Sequence, residues 1–323
     1  MRVLLTGGAG FIGSHSAECL LAQGAQVVVY DNLSTGRLDN LQKLSGKLHF
    51  VHGDLRDYAR LEQALRGCDA VLHLAAVVSV PESIAQPLFA HEINASGTLN
   101  VLEAARKLGV PRVVLASSAA VYGANAALPL REEAPPQPLS PYAAQKWLGE
   151  SYASNYARLH GLSTIALRYF NVYGPRQDPA SPYSGVLSRF IQATLAGAPV
   201  TIFGDGRQTR DFVYVEDVAR ANAAAVLAKT TGATVLNVGT GQAVDLIAAL
   251  DAIVAHSEKP PLPPTFGPPR EGDIRHSLAD VRRAEELLGF RARTAFSEGI
   301  ARTIAWSLAS PACDDVSVLF SSR

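Results

Sequence analysis

The sequence predicts an α/β protein: a doubly wound parallel sheet with a smaller α/β lobe in its C-terminal half. Three observations carry that prediction. From the N-terminus to about residue 175, short apolar runs alternate with helix-length segments, the rhythm of strand–helix–strand units. The first apolar run closes on a glycine-rich stretch, TGGAGFIG, set between a strand and a helix. Beyond residue 175 the rhythm gives way to prolines, loops and shorter elements.

In order, residues 3–5 are the first strand, and 11–23 have helical spacing that stops at Gly24. Residues 26–30 are a second strand ending at Asp31, and 48–52 a third before Asp54. A helix follows over 58–65, a strand over 70–74, and a long helical region through Lys107. Then come a strand at 112–116, a helix at 142–159 and a strand at 164–168. In the second half, 185–196 reads as a helix, 199–203 as a strand, 204–210 as a polar loop and 260–269 as a proline-dense loop. Amphipathic helices are predicted over 279–288 and 297–308. The expected division is a dinucleotide-binding domain over 1–175, to which later segments return, a mainly substrate-binding lobe over 176–309, and a loose tail over 310–323.

The 323-residue chain is long enough for an ample core; hydrophobic residues make up 48% and charged residues 18%, as in soluble globular proteins. Lysine plus arginine equals aspartate plus glutamate at 29 each, which gives no electrostatic footprint for nucleic acid or an anionic membrane. Cys19, Cys68 and Cys313 are scattered without CxxC spacing and predict neither a disulfide framework nor a metal site. No run approaches the ~18 apolar residues of a membrane span. The stretch RVLLTGG starts at the second residue, leaving no room for a cleaved leader ahead of the first strand, so the expected location is cytoplasmic.

Gly7, Gly10 and Gly13 recur at three-residue steps. Glycines there allow a tight turn, close approach of a pyrophosphate to the backbone, and close helix–strand packing. The helix start then offers free N–H groups to the phosphates. Asp31 follows about 20 residues after the glycines, where a carboxylate accepts hydrogen bonds from adenine ribose hydroxyls and repels a 2′-phosphate. That favours NAD, although nearby Arg37 leaves NADP open. Asp54 is read either as a residue beside the adenine or as a simple helix N-cap.

SPYAAQKW puts Tyr142 and Lys146 four residues apart, on one helix face. A free tyrosine, with a pKa of about 10, is a poor base at neutral pH. A lysine ammonium on the same face, together with a nicotinamide cation, favours the phenolate and makes Tyr142 a usable acid and base. Ser118, in SSAAVYG at the end of a strand, is placed to bond the same substrate oxygen and relay its proton.

TGGAGFIG, DNLSTG, HLAA, SSAAVYG, YAAQK and LRYFNVYGP together resemble the extended short-chain dehydrogenase/reductases, and among them the NAD-dependent nucleotide-sugar epimerases. The resemblance covers roughly residues 2–308. It implies a Rossmann domain with a C-terminal substrate lobe, a tightly held NAD, a UDP-sugar substrate, and a homodimer built on a four-helix bundle from helices near 95–107 and 142–159. It implies catalytic roles for Ser118, Tyr142 and Lys146. Phe11, Ile12, Asn32, Leu55, Ala75, Ala76 and Tyr169 would join the glycines, Asp31, Asp54 and Lys146 around NAD. Asn171, Val186, Phe203, Arg210, Arg270, Asp273 and Ser277 would join Ser118 and Tyr142 around the substrate. Two arginines, Arg210 and Arg270, suit a pyrophosphate. Val78 and Ser79 are read either as lining the sugar pocket or as ordinary loop.

The reaction is narrowed by what SSAAVYG omits. Family dehydratases carry an Asp–Glu pair directly after the catalytic hydroxyl, where this chain has Ala119–Ala120. Methyl groups transfer no protons, so the expectation is inversion at C4 through a 4-keto sugar. Ser277 stands seven past Arg270, where the resembling epimerases border the sugar's C2 substituent. A small residue there admits an N-acetyl group, so UDP-GlcNAc and UDP-GalNAc are the expected pair, with UDP-glucose and UDP-galactose as further substrates. A UDP-glucose-only epimerase and a UDP-glucuronate epimerase or decarboxylase share the framework and stay open. A non-catalytic NAD-binding regulator is disfavoured by the complete Ser118, Tyr142 and Lys146 set.

Overall fold

A computed structural model of the chain describes residues 1–125, 127–178, 185–269 and 274–309. Its centre is a seven-stranded sheet, parallel at every pairing. Six strands come in chain order: β1 (Arg2–Thr6), β2 (Gln26–Asp31), β3 (His49–His52), β4 (Ala70–His73), β5 (Arg112–Ser118) and β6 (Ser163–Tyr169). The strand Ala233–Val238 returns from the second half of the chain to pair with β6 at the sheet's edge. From that edge the order runs through β6, β5, β4, β1 and β2 to β3.

The apolar runs VLL, VVV and VVL explain the parallel arrangement: their strands are covered on both faces and read as continuous hydrophobics rather than alternating ones. One face packs Val3, Leu5 and Val29 against helix α1 (Phe11–Ala22) and the Val215–Leu227 helix. The other packs Leu4, Val28 and Val71 under the Tyr58–Leu65 and Gly97–Leu108 helices. Connection direction reverses between β1 and β4, and the cleft at the carboxyl ends of those strands is where open α/β sheets bind ligands. A separate core forms the C-terminal lobe, with Phe190, Ile202, Phe212, Leu250 and Ile304 buried together.

Several predicted boundaries move. The third β–α crossover is not one long helix. Pro87 starts a new turn after Val80–Ala85, and a π-helical turn (Glu92–Ser96) precedes Gly97–Leu108. The polar loop at 204–210 ends in a short strand, Thr209–Arg210, antiparallel to Val244–Asp245. The proline-dense loop at 260–269 holds a strand, Thr265–Gly267, parallel to Thr201–Phe203; prolines flank it, so its three residues keep their donors. The helix expected from 279 starts only at Arg282, because Ala279 donates its N–H to Asp211 and Asp280 turns back onto the Arg282 N–H. The sequence reading assigns nothing to the Val215–Leu227 and Leu246–Ser257 helices or to the Ala233–Val238 strand. Among the described residues, no helix is long and apolar enough to cross a membrane.

One buried ion pair ties the end of β5 to its surroundings. Glu150 receives Arg168 Nε at 2.9 Å and Nη2 at 2.7 Å, and the Ser117 hydroxyl at 2.5 Å. Arg168 also lies over the Tyr122 ring, 4.6 Å from its centroid, and donates to the Glu132 carbonyl at 3.1 Å. Such a pair is weak evidence of net stabilisation, but breaking it strands a buried charge. Glu150→Ala is therefore expected to lower unfolding free energy in urea by about 3–5 kcal/mol, against a smaller loss for Glu150→Gln. A loss below about 1 kcal/mol would show that Arg168 finds another partner or water.

Candidate active site

The glycine loop bridges the β1–β4 switch point. Gly7 has φ +69°, and a Cβ there would stand 2.7 Å from the Ala75 nitrogen just past β4. A Cβ on Gly13 would run into the Gly7 carbonyl oxygen, and one on Gly10 would stand 3.2 Å from it. Only glycine fits at 7 and 13. No side chain caps α1, whose first residues are Phe11 and Ile12, and its first turn carries no acid. Its leading N–H groups face the cradle as unmatched donors, which is what a pyrophosphate requires. These features fit a dinucleotide.

Asp31 is buried at the end of β2. Its carboxylate takes the N–H of Ala9 at 2.9 Å and of Leu33 at 2.8 Å, which fixes it beside the glycine loop with lone pairs to spare. The Asp54 carboxylate receives Arg56 through Nε and Nη2, both at 2.9 Å, and Asn32 Nδ2 at 2.9 Å. The Arg56 hydrogen bonds hold it well below the usual carboxylate range. It does not cap the next helix; Asp57 does, accepting the Arg60 N–H at 3.0 Å. Leu55 is buried, and its carbonyl accepts Asn100 Nδ2 at 2.9 Å. Ala75 and Ala76 follow β4, and Ala75 donates to the Thr6 hydroxyl at 3.3 Å.

Ser118 and Tyr142 meet where β5 ends. Register sets Ser118 opposite Tyr169 on β6. The Ser118 Oγ accepts the Ala120 N–H at 3.1 Å, and its hydroxyl neighbours the Tyr142 phenol, whose ionisation it favours. Tyr142 lies in the first turn of the Pro141–His160 helix, which Ser140 caps by accepting the Ala143 N–H. The Tyr142 N–H donates to Ser83 Oγ at 3.2 Å. One turn on, Lys146 Nζ donates to the Ala116 carbonyl at 2.9 Å and lies 5.8 Å from the centre of the Tyr142 ring.

Burial sets the electrostatics. It pushes the Tyr142 phenol up, against the Ser118 hydrogen bond, and pushes the Lys146 ammonium down to about 8. The chain alone therefore does not lower Tyr142, and the sequence reading has Lys146 act together with a nicotinamide cation. A further positive charge is needed, and the nicotinamide ring of NAD carries one. Buried His73, under the same site, is pushed down to about 3 by burial and by the Lys146 charge. It stays neutral between Thr6 (2.7 Å) and Thr98 (3.0 Å).

Sequence reading missed the supports. Asn94, in the π-turn, receives the Val77 N–H at 2.8 Å and donates to Gln145 at 2.8 Å, between Tyr142 and Lys146 on the helix. Tyr169 donates to Asn222 at 2.6 Å, and Asn222 donates to Ser16 on α1 at 2.9 Å. Asp211 is fully buried and accepts from Thr240 N, Thr240 Oγ1, Gly241 N and Ala279 N at 2.7–3.1 Å. The one available signal was Asp211 itself, an acid between Arg210 and an apolar run in TRDFVYV.

Asp211 holds the substrate-side candidates. Its carbonyl accepts the Asn171 N–H at 3.0 Å, and its neighbour Arg210 donates Nη1 to the Thr209 carbonyl at 2.9 Å. Buried Ser277 donates its N–H to the same Thr209 carbonyl at 3.2 Å, which brings it beside Arg210. Phe203 lines a neighbouring cleft of about 510 Å³ with Asp205, Gln208, Phe266 and Arg275. Val186 opens the helix Val186–Leu195. Arg270 and Asp273 lie outside the described residues. Ser79 caps the helix Val80–Ala85 through the Glu82 N–H, and Val78 is exposed.

Residues 3–239 match the profile of the NAD dependent epimerase/dehydratase family. The chain belongs to that family. It is 44% identical to a UDP-glucose 4-epimerase of Mycolicibacterium smegmatis, over 94% of this chain and 97% of that one. Among solved structures it is similar to a UDP-N-acetylglucosamine 4-epimerase of Methanobrevibacter ruminantium in complex with UDP-N-acetylmuramic acid, at 39% identity and TM-score 0.91 over 95% and 98% of the two chains. It is also similar to the Thermus thermophilus UDP-glucose 4-epimerase in complex with NAD, at 41% identity and TM-score 0.87 over 96% and 100%.

The cradle predicts a strict steric result. Gly13→Ala should fold yet carry at least about tenfold less NAD through purification, since its methyl must displace loop backbone at a cost of roughly 1–3 kcal/mol. Unchanged NAD content, read from nucleotide released on denaturation, would remove the loop from the cofactor site.

Proposed function

We propose that this protein is a UDP-sugar 4-epimerase that interconverts UDP-GlcNAc and UDP-GalNAc and also turns over UDP-glucose and UDP-galactose. The observation that carries the N-acetyl assignment is Ser277, a small buried residue hydrogen-bonded to the same carbonyl as Arg210. If Arg210 binds the diphosphate, a side chain this small beside it leaves room for an acetamido group. The relatives' substrates support UDP-sugars as the class.

When bound, NAD supplies a reversible hydride acceptor. Gly7, Gly10, Gly13, the start of α1 and Asp31 would hold it, with Asn32 and Asp54 toward the adenine and Tyr169 toward the nicotinamide. The chain's own residues handle the proton. Tyr142 Oη takes it from the C4 hydroxyl and gives it back to the same oxygen once the keto sugar has turned its other face to the cofactor. Ser118 donates to the same oxygen, and Lys146, tethered to Ala116, keeps a positive charge near the phenolate. Ala119 and Ala120 give the keto sugar no group to remove a second proton, so dehydration has no catalyst.

The first half would serve the cofactor and the second mainly the sugar nucleotide. The helices Gly97–Leu108 and Pro141–His160 would form a dimer interface, consistent with the exposed Trp147 and Leu159 on the latter, and the enzyme would work in the cytoplasm.

Incubation with each UDP-sugar without added NAD tests the assignment. Interconversion of UDP-GlcNAc and UDP-GalNAc is the expected product pattern. Activity confined to UDP-glucose and UDP-galactose would overturn the N-acetyl reading, and carbon dioxide release from a UDP-uronate would replace it with decarboxylation. Tyr142→Phe should lower kcat by about 10²–10⁴ with substrate binding retained. Lys146→Met should lower it comparably while leaving the thermal midpoint unchanged or raised, because it removes a half-buried ammonium that carries a desolvation cost. Undiminished activity in Tyr142→Phe would end the mechanism.

A further inference from the structure

Arg37 stands six residues past Asp31, near enough in sequence to serve a 2′-phosphate. Its backbone is held against the ribose-side acid. The Arg37 N–H donates to the Ala9 carbonyl at 3.0 Å, while Ala9 donates its own N–H to Asp31. A Cβ on Gly36 would lie 3.0 Å from both Asp31 carboxylate oxygens. The Arg37 side chain, however, turns to Asp178, with Nη2 at 3.3 Å from Oδ2.

Asp178 is presented there by a pinned segment. His15 Nε2 donates to the Pro175 carbonyl at 3.0 Å, Arg176 Nη2 pairs with Glu18 at 2.5 Å, and Ser188 donates to the Gln177 side chain at 2.6 Å. His15 and Glu18 both lie on α1, the helix that opens at the glycine loop. Residues 175–177 are thus fastened before the chain reaches Asp178.

We propose that Asp178 is a cofactor-specificity residue: by pairing with Arg37 it engages the cation six residues past Asp31 and leaves that loop net negative, so a 2′-phosphate is rejected. This rests on the reading of Asp31 as the ribose-binding acid. Asp31, Asp178 and Arg37 sum to one negative charge; with Asp178 neutral they sum to zero and the guanidinium can swing toward the ribose. The pair is solvent-exposed, at 63% and 43% of the side chains, so the effect is modest and salt-sensitive.

The test equilibrates wild type, Asp178→Asn, Asp31→Asn and Asp178→Asn with Arg37→Ala against mixtures of NAD and NADP. Unbound nucleotide is removed, the protein denatured, and the released nucleotides identified. Asp178→Asn should raise the bound NADP-to-NAD ratio roughly three- to tenfold at low salt, a gain of the size exposed charges give. High salt and the added Arg37→Ala should each erase it. A ratio within about twofold of wild type in Asp178→Asn, with a clear rise in Asp31→Asn, would overturn the role of Asp178 alone. No rise in Asp31→Asn would overturn the ribose reading beneath it.

Discussion

The desolvation shared by Tyr142 and Lys146 is the constraint on which the site depends. A phenol buried alone resists ionisation, and an ammonium buried alone resists protonation. Placed one helical turn apart, with the Lys146 ammonium 5.8 Å from the centre of the Tyr142 ring, both groups have their charged forms disfavoured by burial. The Lys146 charge survives near neutral pH because its value falls only to about 8, while Tyr142 stays above its ordinary value in the chain by itself. The balance is left unfinished by protein groups, and in the proposed mechanism a cationic nicotinamide ring would supply the missing charge. That makes the acid–base machinery conditional on the cofactor, which suits an enzyme that borrows a hydride and returns it.

Holding two groups in that geometry takes support from several elements. The Pro141–His160 helix is anchored at Tyr142 by Ser83, at Gln145 by Asn94 and at Lys146 by the Ala116 carbonyl of β5. Ser118 and Ser117, adjacent on β5, have different partners: the Ser118 Oγ accepts the Ala120 N–H, while Ser117 donates into the buried Glu150–Arg168 pair. The Ser118 hydroxyl, to which the proposal gives a proton-handling role, thus sits on a strand end locked by a buried charge pair. Asp211 plays a comparable part in the second lobe, gathering the Thr240 loop and the segment before Arg282 around Arg210 and Ser277.

Much of this was legible in the sequence because close approach and buried strands leave strong local marks. Gly7, Gly10 and Gly13, Asp31 and the Tyr142–Lys146 spacing each express one local demand, and the parallel sheet follows from continuous apolar runs. The short strands Thr209–Arg210 and Thr265–Gly267 did not announce themselves, since each is made by a partner far along the chain and too short to set a period. The helix-cap reading of Asp54 was also closed only in space, where Arg56 and Asn32 occupy its carboxylate and Asp57 takes the cap. Asn94, Asn222 and Asp211 look like ordinary polar residues until the fold buries them. How far burial raises Tyr142 in the chain by itself was not legible either, because burial depth has no local signature.

The most direct measurement is the titration of Tyr142 itself. The chain has 10 tyrosines, so the phenolate absorbance of Tyr142→Phe is subtracted from that of wild type to isolate one. In protein stripped of nucleotide, Tyr142 should ionise above the ordinary tyrosine value of about 10, and adding NAD should move its ionisation down toward neutral pH. A Tyr142 already ionising near neutrality without NAD, or one that NAD leaves unmoved, would contradict a base whose activation depends on the cofactor's charge.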